Sequence, residues 1–212
     1  MSCRLKVLQW NCRSIKANRN SFERLLDEYG INIALLFETW LTSASDISFN
    51  GFSLICSNRS DGYGGSAILV RNDVRFLVHA SQPLFPPNPP YPSLVHISIP
   101  NYSSRPFHFI SAYIPPTCNL RDFLFLSLIN SLSSPFLIGG DWNAHSPLWG
   151  CSNYNSNDTI LENFILQNDL FLLNDGSPTC IRSHSSLSSI DLSLTSPNLG
   201  LSCSWCNLDG AI

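Results

Sequence analysis

Hydrophobic positions at the start of the chain change from strand-like to helical spacing. Residues 5–10 form a mostly apolar run that ends at Asn11, and we predict a first strand there. Apolar residues then recur at helical spacing, and Asn20 is followed by Glu23 in the form of a capping box. We therefore predict a helix that begins at Asn20 and stops at Gly30, because glycine favours the left-handed conformation of helix ends.

Further apolar runs predict a strand-rich chain with few helices. Residues 31–37 are almost continuously apolar, which is typical of a central strand covered on both faces, and this run ends at Glu38. Additional strands are predicted at 52–56, 65–70, 74–79, 93–99, 107–114, 135–138, 189–194 and 201–208. Helical spacing predicts helices at 120–132 and 158–168, and the proline-rich stretch 83–92 predicts a surface loop.

This order of elements predicts an α/β protein whose sheets are mixed or antiparallel, because most neighbouring strands have short connections. We predict a four-layered α/β/β/α sandwich of two mixed β-sheets flanked by helices. With 212 residues, of which 44% are hydrophobic, the chain can form one substantial core. We therefore interpret residues 1–212 as a single domain.

Charge and cysteine content narrow the classes of function. Charged residues make up only 13% of the chain and the net charge is −3, which excludes a strongly basic nucleic-acid-binding tail. We find neither a secretory signal pattern nor an apolar run of the ~18 residues that a membrane span needs, so we expect an intracellular protein without a membrane partner. The eight cysteines are then expected to be free thiols, several of them buried in strands. Cys203 and Cys206 lack the second pair that a zinc site would require.

Polar residues stand at the ends of several apolar runs. They are Asn11, Glu38, Tyr113, the pair Asp141 and Asn143, and Asp191. Each one alone is explained by a turn cap, a solvated strand end or a half-buried aromatic ring. Together they indicate a functional site, because active sites collect at strand ends on open sheets.

The pair Asp141 and Asn143 follows Gly139 and Gly140, and we predict that a buried strand ends there in a Gly-Gly turn. On an extended backbone two residues that are two positions apart point to the same side. Such a pair suits attack of water on a phosphate, in which the carboxylate takes a proton and the amide orients the water or the phosphate. The alternative is a turn in which both side chains cap backbone groups.

Motifs at these positions resemble those of the endonuclease/exonuclease/phosphatase superfamily. They are Leu8-Gln9-Trp10-Asn11, Phe37-Glu38-Thr39-Trp40, Ser111-Ala112-Tyr113, Gly140-Asp141-Trp142-Asn143 and Ser189-Ile190-Asp191-Leu192. Their order and approximate spacing match the superfamily across nearly the whole chain. Within it, segments 10–15, 38–41 and 143–150 resemble the endonuclease domain of jockey-type non-LTR retrotransposon polyproteins.

The resemblance implies Mg²⁺-dependent nicking of DNA, with Mn²⁺ as a possible substitute. Glu38 and Asn11 would hold the metal, and Asn11 would also help to position the phosphate. Asp141 would activate or align the attacking water, while Asn143 and Tyr113 would bind the scissile phosphate. The product would carry a free 3′-hydroxyl that primes reverse transcription on the chromosome. The resemblance also implies action in the nucleus and a reverse transcriptase domain in a longer parent protein.

One motif of the superfamily is missing. Its members end in a Ser-Asp-His whose histidine contacts the phosphate and pairs with the aspartate that matches Asp191, a catalytic position. None of the five histidines of this chain follows Asp191, so we expect a domain truncated before that motif. The alternative function is a catalytically inactive fragment that at most binds nucleic acid. A weaker alternative is a phosphatase for a small phosphorylated substrate, against which the resemblance of segment 143–150 argues.

Three further features have competing interpretations. His145 is interpreted as a loop or core histidine in preference to a catalytic one. Trp149 is interpreted as a packing residue that holds its loop in preference to a platform for base stacking. The basic residues Arg13, Lys16 and Arg19 would either meet phosphates or simply lie in a solvated loop.

Overall fold

The computed structural model describes residues 4–60, 62–79, 91–100, 105–118, 120, 129–132, 135–181 and 187–208. In these residues two mixed β-sheets pack face to face. The first sheet contains β1 Val7–Asn11, β2 Ile33–Phe37, β3 Phe52–Ser57 and β4 Ser66–Arg71, in the spatial order β1–β2–β4–β3. Its β1–β2 pair is parallel, and its other pairs are antiparallel.

The second sheet contains six strands. They are β5 Leu77–His79, β6 Ser93–Ile99, β7 Phe107–Tyr113, β8 Phe136–Asp141, β9 Phe171–Leu172 and β12 Asp191–Thr195, in the spatial order β5–β6–β7–β8–β12–β9. Strands β7 and β8 are parallel, whereas the remaining pairs are antiparallel. A separate antiparallel ribbon joins β10 Cys180–Ile181 to β11 Leu187–Ser188.

Apolar side chains form one core between the sheets and one on each outer face, as a layered sandwich requires. Between the sheets, Leu35 and Ile68 of the first sheet pack in the same core as Ile97 and Phe109 of the second. Helix α1, Arg19–Tyr29, buries its apolar stripe on the outer face of the first sheet. Helix α2, Asp158–Gln167, does the same on the second. The predicted α/β/β/α sandwich is confirmed.

The predicted start of the first helix is wrong. The helix begins at Arg19, and Asn18 stands at its N-cap without a side-chain cap bond. No capping box forms, because with Asn18 at the N-cap the third helical position is Ser21, and Glu23 instead pairs with Arg19 at an Nε–Oε1 distance of 2.9 Å. The predicted end is confirmed, since Gly30 closes the helix in the left-handed conformation at φ 59°.

Some other predictions are wrong, and others concern residues that the structure does not describe. In place of a strand at 201–208, the chain forms a 3₁₀ turn at Gly200–Ser202, and Leu201 is 95% exposed and therefore has no apolar face to join. The described cysteines are free, but the buried ones, Cys12, Cys118 and Cys151, lie in loops rather than strands. Most of the predicted loop 83–92 and of the predicted helix 120–132 lies outside the described residues. Within the part of the chain that the structure describes, no helix is both long and apolar enough to cross a membrane.

Candidate active site

Strand register brings three of the predicted residues into one row on the second sheet. Tyr113 at the end of β7 pairs with Asp141 at the end of β8. Asp141 in turn pairs with Asp191, the first residue of β12. Paired residues on neighbouring strands share one face, and here it is the face toward the first sheet. Three residues far apart in sequence therefore line one edge of the inter-sheet core.

Asn11 and Glu38 reach this row from the first sheet. Asn11 is the last residue of β1, and Glu38 follows β2, the parallel neighbour of β1. The Asn11 side-chain amide donates to Glu38 Oε1 at 3.1 Å and to Asp141 Oδ2 at 3.0 Å. One amide thus connects carboxylates from both sheets, and the predicted cluster is present.

The electrostatics of the cluster are dominated by crowded carboxylates. Asp141 is 1% exposed. Burial, followed by the nearby charges of Asp191 and Glu38, raises its pKa well above the usual aspartate value. Burial and the Glu38 charge also raise the pKa of Asp191 to about 7, against opposing effects of a Thr179 hydrogen bond and the Arg13 charge. The cluster is therefore a region of concentrated negative potential.

The donor set fits a hard divalent cation. The available ligands are carboxylate and amide oxygens, which Mg²⁺ and Mn²⁺ prefer. Asp191 Oδ1 is buried without a hydrogen-bond partner among the described residues. A buried acceptor in this state is costly, and so is a group of buried carboxylates without compensating positive charge. A cation at Glu38 and Asn11 would supply the missing positive charge.

The glycines before Asp141 do not form the predicted turn. Gly139 and Gly140 belong to β8, which continues to Asp141. A Cβ at 139 would lie 2.6 Å from Gln9 Oε1 and 2.8 Å from Leu35 Cδ1, both in the opposing sheet, so any larger residue would make these side-chain ends shift. The two glycines therefore allow close approach of neighbouring groups instead of a change in chain direction.

Asn143 is also placed differently from the prediction. Its backbone is left-handed at φ 43°, so strand alternation does not align it with Asp141. Instead, the Asn143 backbone N–H donates to Asp141 Oδ1 at 3.2 Å, and its side-chain amide donates to the Ile114 carbonyl at 2.8 Å. The alternative interpretation, in which both side chains cap backbone groups, is therefore correct for one hydrogen bond of Asp141 and one of Asn143. Asp141 Oδ2 remains directed at Asn11.

Unusual backbone conformations are concentrated around the cluster. Among the described residues, positive φ angles occur at Arg13, Ser14, Glu38, Trp40 and Asn143, all in loops next to the site, and otherwise only at Asp169 and at glycines. Such conformations cost about 1–3 kcal/mol each and persist where the surrounding structure enforces them. The loop after β2 is enforced by hydrogen bonds from the Thr39 and Trp40 amides to the carbonyls of Gly65 and Gly64.

Several supporting residues were missed by the sequence analysis. Thr179 accepts the Asp191 backbone N–H at 3.1 Å, and Asn174 holds the following strand through the Asp191 carbonyl and the Ser193 amide. Asn155 donates to the Asn143 carbonyl at 2.6 Å and fixes that loop. Thr and Asn are common in loops, so nothing in the local sequence distinguished these three.

The remaining sequence features have clear positions. Trp149 is 1% exposed and donates to the Ala144 carbonyl at 3.1 Å, which confirms its packing role. His145 is a partly buried loop residue whose amide donates to Asn155. Of the basic residues, Arg19 is engaged with Glu23, whereas Arg13 contacts Cys180 Sγ and its charge acts on Asp191. Arg13 is therefore the member of the basic run that borders the cluster.

Comparison with known proteins identifies the architecture. A family model described as endonuclease-reverse transcriptase matches residues 107–211. The endonuclease domain of TRAS1, a telomere-specific non-LTR retrotransposon, superposes with a TM-score of 0.78 and 20% identity, over 99% of this chain and 93% of that chain. The chain has the endonuclease/exonuclease/phosphatase fold. The AP endonuclease LMAP of Leishmania major shares it at a TM-score of 0.70 and 12% identity, over 93% of this chain and 80% of that chain.

The sequence relatives are polymerase proteins from mobile elements. The probable RNA-directed DNA polymerase from transposon X-element of Drosophila melanogaster is 28% identical over 180 residues, which cover 82% of this chain and 19% of that protein. The chain thus spans about a fifth of the length of the curated relatives it matches. The resemblance to the endonuclease/exonuclease/phosphatase superfamily and to its retrotransposon branch, predicted from the motifs, is confirmed.

Proposed function

We propose that this chain is a divalent-metal-dependent endonuclease that hydrolyses a DNA phosphodiester and leaves a nick with a free 3′-hydroxyl. The observation that carries the proposal is the Asn11 amide, which joins Glu38 and Asp141 while Asp191 lies on the strand next to Asp141. In a retrotransposon parent with a reverse transcriptase domain, the nick would prime synthesis on the target DNA.

Glu38 and Asn11 are the proposed metal ligands. The chemistry that a bound Mg²⁺ supplies is neutralisation of charge growing on the phosphoryl oxygens and the leaving 3′-oxygen. The left-handed backbone of Glu38 and the amide contact from Asn11 hold the carboxylate in place before the substrate arrives. Mn²⁺ accepts the same oxygen ligands and should replace Mg²⁺.

The other side chains act on water and phosphate. Asp141 aligns the attacking water and takes its proton, for which a carboxylate of raised pKa is a suitable base. Tyr113 donates its phenol to the scissile phosphate. One N–H of the Asn143 side-chain amide donates to the Ile114 carbonyl. The second N–H of the same amide is the proposed donor to the phosphate. Asp191 orients the cluster from β12.

Plasmid nicking tests this function. Purified protein is incubated with supercoiled plasmid and Mg²⁺ or Mn²⁺, and relaxed circles are quantified. Asp141→Asn should lower the nicking rate by about 100-fold or more, since it removes the base without changing size. Asp73→Asn is the matched control, because Asp73 pairs with Arg71 at the opposite end of the first sheet. If the parent chain and Asp141→Asn nick equally little, the proposal fails for this chain.

A second candidate is binding of DNA without hydrolysis. Asp191 Oδ1 has no hydrogen-bond partner among the described residues, and no histidine follows Asp191 in the sequence. Charge stabilisation by the superfamily's last histidine is commonly worth orders of magnitude in rate. Fusing a C-terminal extension with Ser-Asp-His tests this candidate. If nicking appears only in the extended protein while the 212-residue chain still shifts DNA in a gel, this candidate is supported; if the extension does not change nicking, the candidate loses its support.

A further inference from the structure

Three histidines converge on the face of the second sheet that points away from the proposed active site. His79, His96 and His108 come from the neighbouring strands β5, β6 and β7. His79 pairs directly with His96, and His108 pairs with Ser98 two positions along β6. The register thus places all three imidazoles on one patch of the sheet, far along β7 from Tyr113.

The imidazole nitrogens are close enough to share one ion. One nitrogen from each ring lies within 4.8 Å of the other two. His96 Nε2 and His108 Nδ1 are 2.7 Å apart, and the His79 ring stacks on the His96 ring with centroids 4.3 Å apart and an angle of 21°. His96 Nε2 and His108 Nδ1 hydrogen-bond each other in this arrangement, so binding of one ion would replace that bond and require the imidazole rings to rotate.

The surroundings favour the neutral, ligating form of these rings. His96 is 4% exposed and His108 is 8% exposed. Burial, with a smaller effect of the neighbouring histidines, lowers the pKa of His96 to about 3, and burial also lowers the pKa of His108. Neutral imidazole is the form that binds Zn²⁺ and related transition metals.

A path for an ion reaches the cluster from solvent. A depression of about 280 Å³ is lined by His79, His108, Ser98 and Arg105. Ser98 Oγ is 2.8 Å from His79 Nε2 and supports that ring. The depression leaves room for a water or an anion as a fourth ligand. Three protein nitrogens with one open position is a recognised zinc arrangement.

We propose that His79, His96 and His108 form a binding site for a borderline transition-metal ion, of which Zn²⁺ is the probe, separate from the oxygen-rich catalytic cluster. Imidazole nitrogens select Zn²⁺ over Mg²⁺, so the two sites differ in ligand chemistry. The ion would tie the three-residue edge strand β5, with its exposed Leu77 and Val78, to β6 and β7. The inference does not depend on nuclease activity.

Zinc titration of the chelator-treated protein tests this site. Isothermal titration and thermal unfolding are measured with ZnSO₄, with MgCl₂ as the comparison ion. One Zn²⁺ per chain and a higher unfolding temperature are expected, and MgCl₂ should not compete. His79→Ala should weaken zinc binding by more than about 10-fold. It is the main variant because His79 is only partly buried on a short edge strand and its loss should leave the fold intact.

Two controls separate this site from adventitious binding to thiols. His145→Ala removes a histidine outside the cluster and should keep the zinc affinity of the parent chain. Co²⁺ should give the visible bands of a nitrogen-ligated site without the intense near-ultraviolet band of thiolate ligation. Zinc binding that survives in both His79→Ala and His108→Ala would overturn the proposal, and a thiolate band with Co²⁺ would assign the metal to the cysteines.

Discussion

Asp191 shows, at the scale of one residue, the cost in folding free energy of the carboxylates in this site. Its carboxylate is buried, its Oδ1 has no partner among the described residues, and burial with the Glu38 charge raises its pKa to about 7. Asp141 stands beside it on the next strand. Each buried carboxylate costs folding free energy. Such an arrangement is therefore typical of sites that are maintained for function.

Asp191→Asn should therefore stabilise the metal-free protein. Asparagine keeps the size and an oxygen that can accept from Thr179, and it removes one charge from the group of buried carboxylates. In EDTA the unfolding temperature should rise by about 2–4 °C for each kcal/mol gained. Thermal unfolding by circular dichroism measures the change.

The same variant should lose nicking and respond less to Mg²⁺. Asp175→Asn is the control, since Asp175 is an exposed loop aspartate bonded to Ser177 and should gain nothing. A lower unfolding temperature for Asp191→Asn than for the parent chain in EDTA would contradict the view that this carboxylate is destabilising.

At the scale of elements, the turn before β4 positions Tyr113. Gly64 has a left-handed backbone at φ 69°, and its carbonyl accepts the Trp40 amide at 2.9 Å. A Cβ at this position would overlap Cε1 of the Tyr113 ring. The turn of the first sheet thus lies against the ring of the phosphate-binding residue proposed on the second.

Gly64→Ala should reduce nicking more strongly than its effect on stability explains. The added methyl group displaces the Tyr113 ring, and misplacement of a catalytic group by about 1 Å can cost 100-fold in rate. Gly51→Ala is the matched control, because Gly51 also has a left-handed backbone, at φ 77°, but nothing lies within 4 Å of the point that an added Cβ would occupy. Both variants carry the cost of alanine in a left-handed backbone, about 1 kcal/mol, and Gly64→Ala adds the cost of displacing the ring.

Nicking rates and urea unfolding of the two glycine variants give the comparison. The expected pattern is loss of stability in both variants with loss of nicking in Gly64→Ala alone. Equal nicking by both variants would show that the turn does not position Tyr113.

At the scale of the whole molecule, the segment after residue 202 joins the two halves of the sandwich. Gly200 packs against Phe171 of the edge strand β9. The Asn207 side-chain amide then donates to the Pro178 carbonyl at 2.7 Å, and Leu208 packs against the core beneath helix α1. The segment predicted to be a last strand is instead a connection from the second sheet to the outer layer of the first.

Leu208→Ala should therefore destabilise the protein by about 1 kcal/mol, because a partly buried leucine loses apolar contacts. Leu201→Ala is the matched control, since Leu201 is 95% exposed and should leave the free energy of unfolding unchanged. Urea unfolding of both variants measures the difference. An equal effect of the two substitutions would mean that the packing of Leu208 does not contribute to stability.

The sequence by itself determined most of the secondary structure, the class of fold and the residues of the proposed site. Continuous apolar runs such as Ile33–Phe37 are typical of buried strands, and polar residues that end such runs lie at sheet edges. Motifs that combine residue type with strand ends therefore carried most of the site. The local sequence pattern was enough to predict those features whose physical cause is local, such as the burial of a strand.

Only the tertiary structure decided how these residues meet. Asn11 and Asp141 are 130 positions apart, and their contact follows from strand register and from the packing of two sheets. The role of Gly139, close approach to Gln9 across the sheets, has no local signal either. The cluster of His79, His96 and His108 was not predicted either, because neighbouring strands bring together side chains that the sequence separates.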